Sequence, residues 1–86
     1  MWIVELRLSP TPERMAARPA HRERLTELHE SGVVRMAGPL ADDSGAVIVL
    51  DVPDRAAAEA VLAADPYLGT PGVAVERIRE WTPFLG

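Results

Sequence analysis

Hydrophobic residues in this 86-residue chain switch repeatedly between a period of two and a helical period, and that alternation restricts the fold more than any other feature. Trp2, Val4, Leu6 and Leu8 fall on one side of an extended strand. Ser9-Pro10-Thr11-Pro12 interrupts it, and Glu13 to Ala17 reads as a short helical turn. His21, Leu25 and Leu28 follow at i, i+4 and i+7, one face of a helix expected from about Pro19 to Ser31, with Gly32 as its left-handed C-cap. Pro19 opens that helix in this reading, where its missing N–H costs nothing. Val33 to Leu40 is a second expected strand, which Pro39 confines to an edge or an end. Asp42-Asp43-Ser44-Gly45 is a turn, and Ala46 to Val52 returns as the other arm of a hairpin. Asp54 suits the N-cap of a second helix, Arg55 to Ala64, with Ala58, Val61 and Leu62 as its apolar stripe. The helix must end by Asp65, because Pro66 keeps the residue before it out of the α region. Tyr67 to Gly72 reads as a loop and Val73 to Thr82 as a fourth strand.

The order β-α-β-β-α-β predicts an α+β fold of the ferredoxin-like split type, one domain over residues 1–86, with two helices on one face of an antiparallel four-stranded sheet. The third strand is apolar on both sides, with Ala46, Ile48, Leu50 and Val52 on one and Val47 and Val49 on the other. A second apolar face wants a cover. A chain this short buries only roughly 60–65% of its unfolded surface, so the expected cover is a second copy, giving a homodimer packed through sheet faces.

Composition narrows the function classes. No cysteine is present, which removes disulfides, thiolate metal sites and cysteine nucleophiles together. Net charge is −4, and arginines interleave with glutamates, as in Arg22-Glu23-Arg24. That pattern describes a solvated face and not a nucleic-acid footprint. The apolar run from Ala46 to Leu50 is far too short to span a bilayer, and no basic segment followed by a long apolar stretch marks a signal peptide. A soluble cytoplasmic protein without membrane or nucleic-acid partners is the expectation.

His21 is the first candidate for chemistry, since a titratable ring occupies a position where a leucine would pack. At a helix start the positive end of the macrodipole disfavours the imidazolium form, and a nearby carboxylate would oppose this and fix the tautomer. The alternative is a histidine packed against the sheet with one nitrogen on a backbone carbonyl. Asp65 is the candidate carboxylate. On the stripe of Ala58, Val61 and Leu62 it would face the sheet at the negative end of its helix, where it wants a donor or a cation. Its alternative is an ordinary surface Asp-Pro stop. Whether the two ends meet depends on loops and register.

Other residues fare differently. His29 is about 12 Å along the helix from His21, too far to share a metal ion, and no HExxH spacing supports zinc. Asp42-Asp43 reads as turn chemistry. Gly69-Thr70-Pro71-Gly72 lacks the features of a phosphate loop. Gly38-Pro39 ends a strand and can bring backbone close to a ligand. Tyr67 can line a pocket or anchor a loop.

Together, Arg18-Pro19-Ala20-His21, Leu28-His29-Glu30-x-Gly32, Ala37-Gly38-Pro39-Leu40 and Ala63-Ala64-Asp65-Pro66-Tyr67 resemble the YCII-related (YciI-like) family in order and spacing, from the first strand to the last. The resemblance implies a dimeric α+β barrel with His21 and Asp65 as its active-site pair, and Arg18, Gly38, Pro39 and Tyr67 lie in the same segments as candidate substrate-binding residues. It also brings in a member of similar fold that is linked to dehydrochlorination of a chlorinated hydroxyquinol, an acid–base elimination. The hairpin from Ala41 to Gly45 is shorter than relatives can carry, which removes part of one pocket wall.

These features lead to an expectation of cofactor-free, metal-free acid–base chemistry. His21 acts as base or acid with Asp65 orienting it, in elimination, dehydration or isomerisation of a small carbonyl or aromatic, polyketide-like substrate. A non-catalytic ligand-binding or interaction module in which the pair only holds helices together, and a cofactor-free monooxygenase, are the alternatives.

Overall fold

The structure, a computed structural model, describes all residues 1–86. The elements are β1 (Trp2–Leu8), α1 (Pro12–Glu30), β2 (Val34–Pro39), β3 (Gly45–Leu50), α2 (Arg55–Ala63), the 3₁₀ turn Pro66–Gly69 and β4 (Val73–Glu80). All strand pairs are antiparallel in the order β2-β3-β1-β4. The order matches the ferredoxin-like α+β arrangement expected from periodicity.

The pleat sorts the residues as the alternation requires. Val4 faces Ile48 across one ladder and Ile78 across the other, and Trp2 faces Leu50. Val4, Leu6, Leu8, Ile48 and Leu50 join Ala58 and Leu62 of α2 in one core cluster, with Leu25 and Leu28 of α1 packed against it. Both helices therefore cover the same face. Two registers slip by one residue, between Glu5 and Leu6 against β4 and between Val34 and Met36 against β3. Each leaves one unpaired residue, Glu76 and Arg35, in the manner of a bulge.

The largest departure from the periodicity reading is α1. A short turn and a helix beginning at Pro19 were expected, and one 19-residue helix runs through both. Its start is specified by Thr11, whose hydroxyl accepts from Arg14 N at 3.1 Å, with Pro12 following and Glu13 in the first turn. Pro19 is thus interior. It cannot donate to the Met15 carbonyl, a defect of about 3 kcal/mol in an ideal helix. Both Met15 and Pro19 are on the solvent side, where water can satisfy the freed carbonyl. The far end follows the expected pattern: Gly32 has φ +87°, its N–H bonds His29 O, and Val33 N–H reaches Leu28 O, a Schellman closure.

Other boundaries shift slightly. The middle strands are Val34–Pro39 and Gly45–Leu50, where Val33–Leu40 and Ala46–Val52 were expected, and β4 ends at Glu80. The segment read as loop after Asp65 opens with the 3₁₀ turn.

The outer sheet face is divided. Toward β4, Glu5 pairs with Arg77 at 3.1 Å and Arg79 at 2.8 Å. Toward β2, Val49 is only 3% exposed, and it shares a small cavity with Met36 and with Trp81, Pro83 and Leu85 of the C-terminal tail. The chain itself thus covers part of the apolar face for which a second copy is the expected cover. No helix is long and apolar enough to cross a membrane.

Pro19 gives a direct check. Pro19→Ala restores the donor for the Met15 carbonyl, so urea unfolding is expected to show a gain of about 1–3 kcal/mol, the interior proline penalty less the greater entropy of the variant's unfolded chain.

Candidate active site

Pro66 sets the geometry. Asp65, held out of the helical region at φ −101° and ψ 110°, turns its carboxylate back into the protein. One oxygen, Oδ1, accepts from Tyr67 N at 3.0 Å and caps the 3₁₀ turn. The other, Oδ2, accepts from His21 Nδ1 at 2.5 Å. The pair is buried, 5% and 9% exposed respectively. The Arg24 guanidinium stands 3.7 Å from the same Oδ2 and donates to Val61 O at 3.1 Å, pinning α1 to α2.

An ionised carboxylate only accepts, so Nδ1 carries the hydrogen and Nε2 holds the lone pair. Nε2 has no protein partner, yet no buried side-chain nitrogen or oxygen lacks one, so Nε2 is open to solvent. It reaches that solvent at a cavity of about 440 Å³, whose wall includes His21. The cavity lies between α1 and the sheet, lined by residues of α1, β1, β2, β3 and the 3₁₀ turn. Leu6, Leu8, Ile48 and Leu25 supply apolar walls.

Above the imidazole lies Tyr67, stacked at 4.0 Å between ring centroids and 17° from parallel. Its hydroxyl accepts from Arg14 Nη1 at 3.3 Å, leaving the phenolic hydrogen free to donate. Arg14 is 1% exposed. It donates further to Ser9 O and to Asp43 Oδ2, each at 2.8 Å, so a buried cation is matched on every side. Its pKa is raised by the bonds to Asp43 and Tyr67. Asp43 is held below the usual carboxylate range, chiefly by the Arg14 hydrogen bond, with help from the charges of Arg14, Arg18 and Arg22 against a desolvation penalty.

The residues singled out from sequence fall together. Arg18, His21, Gly38, Pro39 and Tyr67 line the cavity, and Asp65 stands behind His21 as its partner. Two details are corrected. His21 sits in the middle of α1 and not at its start, so the helix terminus does not act on it; its surroundings are Asp65 and the Tyr67 ring. Asp65 lies beyond Ala64, the C-cap of α2, and caps the next turn instead of extending the helix.

Sequence reading missed Arg14, Arg22 and Asp43, and treated His29 only as a metal ligand. Arg14 precedes His21 by seven residues, two helical turns, and shares its face once α1 is continued through Pro19. Within Asp42-Asp43, Asp42 does perform turn chemistry, accepting from Ser44 N and Oγ at 3.0 and 2.6 Å. Asp43 adopts φ +60° and points to Arg14, so even the short hairpin supplies a wall. His29 donates from Nδ1 to Val34 O at 2.8 Å and also lines the cavity. No three His, Cys, Asp or Glu side chains converge to hold a metal ion.

Fold and site together define the class: a ferredoxin-like α+β domain with a His–Asp pair behind one ligand-sized cavity. The chain belongs to the YCII-related family, whose domain matches residues 2–82. Its fold is similar to that of 5-chloro-2-hydroxyhydroquinone dehydrochlorinase from Burkholderia phenoliruptrix AC1100, solved in complex with 2,5-dihydroxybenzoquinone. That similarity has a TM-score of 0.60 at 13% identity and covers 95% of this chain and 94% of the other. A search of curated proteins gave no sequence match.

Asp43 makes the electrostatics testable. A carboxyl whose folded pKa is depressed stabilises the fold fully above its unfolded value, about pH 4, and loses that contribution as pH falls through the folded value. Thermal melts from pH 6 downward are therefore expected to show a smaller acid-induced loss of stability in Asp43→Asn than in the parent.

Proposed function

We propose that the protein is a small enzyme performing acid–base chemistry with His21 as the proton-transfer group and Asp65 as its orienting partner. The observation that carries this reading is the open Nε2 on a ring whose other nitrogen is tied to a buried carboxylate. A purely structural histidine would have no need of a free nitrogen facing a cavity. The pair does also hold α1 to the segment after α2, and the two roles coexist in one contact.

In this reading Nε2 removes a proton from carbon adjacent to a carbonyl, or from a phenolic hydroxyl. The C–H or O–H electron pair moves into the substrate, and either a leaving group departs as an anion or the proton returns at another carbon. These outcomes are elimination and isomerisation. Asp65 stabilises the imidazolium formed, since its carboxylate already accepts the Nδ1 hydrogen. The free Tyr67 hydroxyl, backed by Arg14, donates to the oxygen on which negative charge grows. None of these steps calls on a cofactor. The dehydrochlorinase of similar fold supports this class of reaction, and its substrate, 5-chloro-2-hydroxyhydroquinone, is the first compound to try.

The dimer belongs to the same proposal. Met36, Phe84 and Leu85 are exposed beside the outer sheet face, and a second copy seated there would complete an α+β barrel. Light scattering at micromolar concentration is expected to give twice the chain mass.

For the chemistry, chloride release from 5-chloro-2-hydroxyhydroquinone and proton exchange in small enolisable carbonyl compounds are the readouts. His21→Asn is expected to fold and to lose about 10²- to 10⁴-fold in kcat. Asp65→Asn is expected to lose at least about tenfold and to melt lower, having lost a buried hydrogen bond. Turnover retained in both variants would overturn the proposal.

A further inference from the structure

All nine basic side chains are arginine, and six of them have carboxylate partners: Arg14, Arg24, Arg35, Arg55, Arg77 and Arg79. Arg7, Arg18 and Arg22 have none. Two of those three, Arg18 and Arg22, line the cavity. In a chain of net charge −4, two unpaired cations gathered on one cavity wall are a local concentration of charge that the single unpaired Arg7 does not match.

Their placement concentrates the charge. Arg14, Arg18 and Arg22 succeed one another at i, i+4 and i+8 on α1, each one turn above the last. Like charges at that spacing repel. Arg14 is neutralised by Asp43 at 2.8 Å, and Asp65 has Arg24 beside it. The positive charge of Arg18 and Arg22 is left over. By helical geometry both lie on the same side of His21, roughly 60° and 100° around the axis from it, and so only about 40° and about 6 Å of rise apart from each other. Across from them the sheet supplies an apolar wall of Leu6, Ile48 and Val34, with Asp43, already bonded to Arg14, at the hairpin end.

We infer that Arg18 and Arg22 form an anion subsite, and that the ligand of this cavity is a small carboxylate on an apolar or aromatic skeleton. The carboxylate bridges the two guanidinium groups, and the skeleton lies along the apolar wall with its reacting atoms before His21 Nε2. Arginine suits a planar carboxylate through paired N–H donors. This deepens the proposed function and rests on the cavity being the substrate site, but its readout is binding and not turnover.

Benzoate and benzamide, of equal shape and different charge, are the probes, titrated into the full chain and followed by backbone amide NMR. Benzoate is expected to give saturable shifts along α1 from Arg18 to Thr26, and benzamide to bind at least about fivefold more weakly, the loss of one charge-assisted contact. The double variant Arg18→Gln/Arg22→Gln is expected to lose benzoate affinity by about fivefold or more with its amide spectrum still that of a folded chain. Arg7→Gln, on the other side of the sheet, is expected to leave affinity unchanged. His21→Asn is expected to keep benzoate binding, which separates this subsite from the catalytic proposal. A smaller preference for the acid, an unaffected double variant, or no saturable shift with benzoate would each overturn the inference.

Discussion

The short contact between a mid-helix imidazole and the carboxylate that follows α2 organises this domain. Asp65 is in position because Pro66 denies it helical backbone, so a local steric rule determines where a long-range contact can form. From that carboxylate the consequences spread outward. One oxygen starts the 3₁₀ turn and so fixes Tyr67, whose ring covers the imidazole; the other decides which nitrogen of His21 is left to face the cavity. Arg14 then anchors the tyrosine hydroxyl from the far side and draws the hairpin inward through Asp43. The wall of the site is thus a chain of contacts joining α1, the hairpin and the turn before β4.

Much of this was readable from residue order, and the exceptions have physical causes. Alternation along Trp2–Leu8, the glycine after Ser31 and the Asp-Pro stop are local signals, and the structure keeps all three. The start of α1 was misplaced because two competing prolines offer the same signal. Thr11-Pro12 couples a capping hydroxyl to a proline at the first helical position, whereas Pro19 offers the proline alone. That error hid Arg14, since helical spacing could not be carried back across a supposed boundary. Asp43 was illegible for a different reason: its partner is 29 residues away in sequence, and nothing in a turn sequence announces which carboxylate will leave the turn.

The outer sheet face shows a limit of reasoning from apolar patterns alone. Val47 and Val49 correctly indicated a second apolar surface, but the pattern says only that cover is needed and not what provides it. The tail from Trp81 onward meets part of that need. Met36 stays open between tail and solvent.

The separation of α1 from the middle strands has a thermodynamic side. A domain with so little interior gives up hydrophobic contact wherever helix and sheet fail to touch, and here the gap is large enough to admit a small organic molecule. Whatever enters serves as interior that the polypeptide omitted, so occupancy and resistance to unfolding are linked by mass action. The empty form is the less robust one, and residues widening the gap trade folding strength for capacity.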